Sequence, residues 1–148
     1  MSGDNESTGT ASDGPGRGGP ERSDVATAPI TIAVNLAGDQ VGAGWGRARR
    51  VAVAIIANAR IVSWEEHDVR WDLSHDQQGE GRHHADIVAF LRDHGIQAVV
   101  TGHMGPPMAN TLQKLGVLPL VDAHGDARDA ALAGAAFAVD YLSGRADG

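Results

Sequence analysis

A chain of 148 residues with 42% hydrophobic content can enclose one core of ordinary size, so one folded domain with a tail is the expected organisation. Its net charge of −7 argues against nucleic acid as the main partner, because phosphate binding needs a basic face and the chain's single lysine is Lys114. The lack of cysteine excludes disulfides, thiol nucleophiles, Cys-ligated zinc and cysteine-held iron–sulfur clusters, leaving His, carboxylate, Met and backbone as metal donors.

Residues 1–28 are Gly, Ser, Thr, Pro and Asp/Glu with almost no large apolar side chain, too little to offset the entropy of ordering, so a disordered tail is expected ahead of a domain over 29–145. Met1 to Glu6 has neither the basic start nor the apolar core of a signal peptide, and no apolar run approaches membrane-spanning length. A cytoplasmic protein with no membrane partner is the expectation.

From Ile30 the pattern becomes β-rich: Ile30 to Leu36 reads as a strand, followed by a glycine-rich loop to Gly46 that contains Asp39 and Trp45. Arg50 to Ala57 and Arg60 to Glu66 flank Asn58-Ala59, a two-residue connection that predicts an antiparallel hairpin. After a polar stretch, Ile87, Val88 and Leu91 recur at helical spacing up to His94-Gly95, where glycine is a natural stop. A strand from Ile96 to Val100, a helix from about Pro107 to Leu115, a strand from Val117 to Val121 and an alanine-rich helix from about Asp126 to Leu142 complete the chain.

The order β-β-β-α-β-α-β-α predicts an α/β domain with a mixed five-stranded sheet and helices on both faces, a three-layer α/β/α arrangement. If the second strand opposes the first, then the first, third, fourth and fifth strands are parallel and end at one edge. Open α/β sheets bind ligands at that edge. It would collect the 37–46 loop, His67, His83-His84, His103 and His124.

The segment Thr101-Gly102-His103-Met104-Gly105-Pro106-Pro107 carries the sharpest signal. Gly102 and Gly105 would permit positive φ and close approach by a ligand, and the helix that follows would present unpaired N–H groups to an anion. His103 could ligate a metal or donate a hydrogen bond, with Met104 as a soft thioether contact. His67, His75 and His94 read as ordinary surface histidines or helix-end residues, and Asp39 and Asp122 as turn caps. Adjacent helical residues point about 100° apart, so at most one of His83 and His84 is expected to face the rim.

Gly44-Trp45-Gly46-Arg47-Ala48 before the hairpin, Gly81-Arg82-His83-His84-Ala85-Asp86-Ile87, Val99-Val100-Thr101-Gly102-His103-Met104-Gly105-Pro106 and Leu112 to Val117 stand in an order and spacing that resembles the dinitrogenase iron–molybdenum cofactor biosynthesis family over about residues 30–135. The resemblance implies a ribonuclease H-like fold and a domain that binds or carries iron–sulfur or iron–molybdenum type clusters and their precursors. It implies His84 as the histidine at the helix start, with His83 as its neighbour, and a loop position at His103 that is more often apolar in relatives. Where relatives often carry His and Phe ahead of the glycine–arginine pair, this chain has Gly44-Trp45, which removes one candidate ligand.

The leading expectation is a non-enzymatic carrier of a metallocluster or related anionic ligand. Its binding residues would be His83, His84, Gly46, Arg47, Gly102, His103, Gly105 and His124, with His84 and His103 as metal ligands. A cofactor-assembly protein is the partner such a role implies. Two other classes compete. One is a small divalent-metal-dependent hydrolase built on Asp39, Asp122 and histidines, which lacks strand-borne carboxylates in Ile30 to Leu36, Val51 to Ala57 and Ile96 to Val100. The other is a regulatory or assembly module that binds a protein partner at the rim.

Overall fold

The computed structural model describes residues 28–73 and 80–147. The tail expected over 1–28 lies, apart from Ala28, outside the described residues, as does His75. In chain order the elements are β1 (Ile30–Ala37), β2 (Gln40–Val41), a 3-10 turn (Trp45–Arg47), β3 (Arg50–Ala57), β4 (Arg60–His67), α1 (Glu80–Asp93), β5 (Ala98–Val100), α2 (Pro106–Lys114), β6 (Leu118–Leu120) and α3 (Ala127–Asp147).

The sheet order is β4-β3-β1-β5-β6, with β2 paired to the end of β1. β1 opposes β3, and β3 opposes β4, while β1, β5 and β6 are parallel. The hairpin expected at Asn58-Ala59 is present, both residues having positive φ (54° and 62°), the twist-matched turn that two-residue hairpins need. Among the described residues six strands stand where five are expected. Gly38, at φ 65°, turns the chain back so that Gln40 and Val41 pair with Ala37 and Leu36. Two residues inside a glycine-rich stretch carry no readable period, which is why β2 escaped the sequence pattern.

Alternation along β1 explains the three layers. Ile30, Ile32, Val34 and Leu36 face α3 together with Ala52, Ala54, Ala98 and Val100, and α3 returns Ala127, Ala131, Ala135 and Ala138 at helical spacing. Small residues let this helix lie close: a Cβ at Gly134 would stand 2.9 Å from Val100 Cγ2. Ala33, Val51, Val53 and Val99 face the other way, toward Trp45, Trp71, Ile87, Leu91 and Leu112 beneath α1 and α2. Each of Ile87 and Leu91, buried almost completely, contributes about 1.5–3 kcal/mol by leaving water. Gly95 (φ 62°) and Gly116 (φ 79°) stop α1 and α2 in the left-handed conformation that only glycine adopts cheaply. Among the described residues no helix is long and apolar enough to cross a membrane.

Candidate functional site

The loops after β1, β5 and β6 meet at the carboxyl edge and are joined there by backbone hydrogen bonds. Gly102 N–H donates to the Gly42 carbonyl (3.0 Å), Trp45 N–H to His103 (2.9 Å), Asp122 N–H to Gly102 (2.9 Å) and Val41 N–H to Gly125 (2.9 Å). These bonds turn separate loops into one continuous rim. Below it a buried polar chain links two central strands: Asn35 Nδ2 donates to Thr101 Oγ1 (3.0 Å), and Thr101 Oγ1 donates to the His103 carbonyl (3.4 Å). Buried polar groups must be paired, so this chain fixes β1 against the start of the His103 loop.

Glycine is required in this rim for a different reason from the one expected. Neither Gly102 nor Gly105 has a positive φ; Gly105 sits at φ −65°. Gly102 is needed because a Cβ there would lie 2.8 Å from the Ala43 carbonyl oxygen, and Gly42 because its Cβ would meet Asn35 Oδ1 at 2.5 Å. Close packing of one loop on another, rather than strain, selects them. The α2 start is also a poorer anion site than expected, because Pro106 and Pro107 occupy its first turn and carry no N–H. Met104 is buried among Trp45, Ile87 and Leu112 rather than presented to a ligand.

Beside the rim opens a cleft of about 700 Å³ whose lining includes Asn35, Gly42, Gly44, Arg47, Arg49 and Arg50. Among the described residues Asp68 is the one carboxylate in its lining. Arg50 also pairs with Glu66 at 3.5 Å, an exposed contact that holds the side chain loosely. In a chain of net charge −7, Arg47, Arg49 and Arg50 share a lining with Asp68 while Glu66 pairs with Arg50, so this lining carries a modest excess of positive charge, the sign that favours an anion. Nearby, Arg70 hydrogen-bonds Asp72 (3.2 Å), which holds the Asp72 carboxyl below and the Arg70 guanidinium above their ordinary ranges.

The histidines divide between different surroundings. His83 is buried, with Nε2 3.8 Å from where a Gly46 Cβ would be, under the rim. His84 turns to α2, where its Nε2 lies 3.1 Å from Thr111 Oγ1. That hydroxyl donates to the Pro107 carbonyl (2.9 Å), so it accepts from His84 Nε2. His103 is exposed, and its backbone bridges to Gly44 in the cleft lining. His124 is exposed too, but lies on the α3 side against Asp122, Gly134 and Phe137 in a separate cleft of about 300 Å³. Among the described residues no group of three or more His, Asp or Glu gathers as a ready metal site.

A family model described as dinitrogenase iron-molybdenum cofactor matches residues 28–136, which takes in every strand, α1, α2 and the whole rim. The chain belongs to that family. Solved structures agree on the fold. The chain is 22% identical to PH0822, with TM-score 0.57, over 71% of this chain and 90% of that one. It is 23% identical to the apo orange protein of Desulfovibrio gigas, with TM-score 0.52, over 68% of this chain and 82% of that one. The mj0327 protein of Methanocaldococcus jannaschii is 11% identical with TM-score 0.50, over 71% and 86% of the two chains. No curated protein matches the sequence.

Within this dinitrogenase cofactor-family fold, four residues of the rim were not singled out from sequence. Asn35 was readable as one polar residue in an apolar strand, and Arg49 and Arg50 as neighbours of Arg47. Gly42 was one of several glycines in its loop, with nothing local to set it apart.

Proposed function

We propose that this protein binds an anionic metallocluster of the iron–sulfur or iron–molybdenum type, or a precursor of one, as cargo at the carboxyl edge of the sheet, and acts as a carrier rather than a catalyst. The observation that carries the reading is the cleft whose lining combines Arg47, Arg49 and Arg50 with the small residues Gly42, Ala43 and Gly44. Membership of the dinitrogenase iron-molybdenum cofactor family supports it, as does the fold shared with the orange protein.

The cargo is a substrate, and the roles of the chain follow from charge and shape. Arg47, Arg49 and Arg50 would neutralise it through charge-assisted hydrogen bonds, and the small residues of the lining would let it sit against the backbone. His103, exposed at the lip, is the ligand best placed to exchange cargo with solvent or with an assembly protein. His84 stands at the α1–α2 seam as a further donor, and Gly46, Gly102, Gly105 and His83 would shape the edge itself. His124, on the far side of the rim, would act at the margin. With no cysteine to supply thiolate, such a cargo keeps its own sulfur and leaves by exchange.

The test is anaerobic incubation of purified protein with an iron–sulfur or molybdenum-containing cluster, followed by desalting, elemental analysis and visible absorbance. Wild type should retain cluster, Arg47→Ala/Arg49→Ala/Arg50→Ala should lose most of it, and His84→Ala/His103→Ala should retain less. Equal retention by all three proteins would sink the proposal.

A further inference from the structure

We infer that His67 and His94 form a second site, one that takes a single divalent late transition-metal ion, beside the arginine cleft but outside its lining. His67 is the last residue of β4, and His94 follows the end of α1. They are distant in sequence, yet their ring centroids lie 4.7 Å apart with planes tilted by 55°. Two imidazoles bound to one ion at metal–N distances of about 2.0–2.1 Å have centroids about 5.2 Å apart at the tetrahedral angle and about 4.5 Å apart at a right angle. The observed spacing lies between the two, nearer the right angle.

Two further contacts make the pair a built feature. Glu65 Oε1 lies 3.2 Å from His67 Nε2. A carboxylate accepts there, so Nε2 carries a proton and Nδ1 is the nitrogen left for an ion on neutral imidazole, the carboxylate–histidine arrangement that orients metal-binding imidazoles. Phe90 backs both rings, at 5.5 Å from His67 and 4.4 Å from His94, so their positions are set by packing before any ion arrives. Trp71 closes the far side of Phe90 at 5.5 Å. The His67 side chain remains 31% exposed, and His94 is half-buried, which leaves an approach from solvent.

Neutral imidazole suits Zn²⁺, Ni²⁺ and Cu²⁺, and the general affinity order places Cu²⁺ above Zn²⁺. With two protein donors, water fills the remaining coordination positions. Neither histidine lines the arginine cleft, although Asp68 next to His67 does, so the ion is tested on protein without cargo.

The experiment is a titration of full-length, cluster-free protein with ZnCl₂ and separately with CuSO₄, followed by calorimetry and by ¹⁵N-detected imidazole NMR. One ion per chain should bind, tighter for Cu²⁺, with the largest Zn²⁺-induced shifts and the strongest Cu²⁺ broadening at the His67 and His94 ring nitrogens. His67→Ala and His94→Ala should each weaken binding by at least tenfold, and Glu65→Gln by about tenfold. His94→Gln keeps polarity and bulk and should lose the ion while retaining the near-ultraviolet circular dichroism of Trp71. His103→Ala and His124→Ala should bind as wild type does. The inference is overturned if wild type binds no ion, if the His67 and His94 variants bind like wild type, or if the His103 variant is the one that loses it.

Discussion

Replacing Gly102 with alanine tests whether the rim is held by close loop packing. The added methyl would stand 2.8 Å from the Ala43 carbonyl oxygen, 3.1 Å from that of Gly42 and 3.2 Å from Ala43 Cα. All three are backbone atoms, which cannot swing aside as a flexible side chain would. Relief requires the 42–44 segment to move away from the 101–103 loop, and that stretches the Gly102-to-Gly42 and Trp45-to-His103 hydrogen bonds. Overpacking of this kind costs about 1–3 kcal/mol, and each weakened hydrogen bond about 0.5–1.5 kcal/mol. A total of about 2–4 kcal/mol is expected. Gly105→Ala is the control: its φ of −65° suits any residue and its nearest new contact is an ordinary 3.8 Å. That variant should lie within about 0.5 kcal/mol of wild type. Urea denaturation followed by circular dichroism gives both numbers, and amide exchange at Gly102 and Trp45 reports whether the rim has opened. If Gly102→Ala is as stable as wild type, or if the two variants behave alike, the packing argument fails.

Other consequences can be checked independently. Retention of an anionic cluster should fall steeply between low and moderate salt, because the Arg47, Arg49 and Arg50 side chains act partly through screened charge; a salt-independent yield would contradict that electrostatic role. Gly134→Ala should lower stability by about 1–3 kcal/mol, since its methyl would press on Val100 Cγ2 at 2.9 Å and Leu120 Cδ1 at 3.2 Å, and an unchanged melting temperature would show that α3 can shift freely. Asn35→Leu, similar in size, should cost about 1–3 kcal/mol by leaving Thr101 without its buried donor, and should raise amide exchange around His103; Thr101→Ser should keep both at wild-type values. The Arg70 hydrogen bond depresses the Asp72 carboxyl, so its small stabilising contribution is present above the unfolded Asp pKa near about 3.9 and is lost as pH falls through the lower folded value. Wild type and Asp72→Asn should therefore differ slightly at neutral pH and converge in acid, and a gap that widens in acid would reverse the assignment.

Local pattern determined much of this protein. The β-rich runs, the Asn58-Ala59 turn, the glycine stops at Gly95 and Gly116 and the alanine face of α3 follow from periodicity and backbone preference, which act over a few residues. Given those elements, strand direction alone places His103, the 37–46 loop and the α1 start at one edge. Which side chains share a site there was not legible. His83 and His84 are neighbours in sequence, yet one is buried near Gly46 and the other reaches Thr111, a choice made by how α1 docks. Arg49 and Arg50 join Arg47 around one cleft only because β3 begins beside the end of β1, and His67 meets His94 only because α1 ends near β4. Gly102 is required by the Ala43 carbonyl, an atom far away in sequence. Secondary structure obeys rules of short range, whereas charge clusters, ring pairs and close approaches depend on sheet order and register, and only the tertiary fold supplies those.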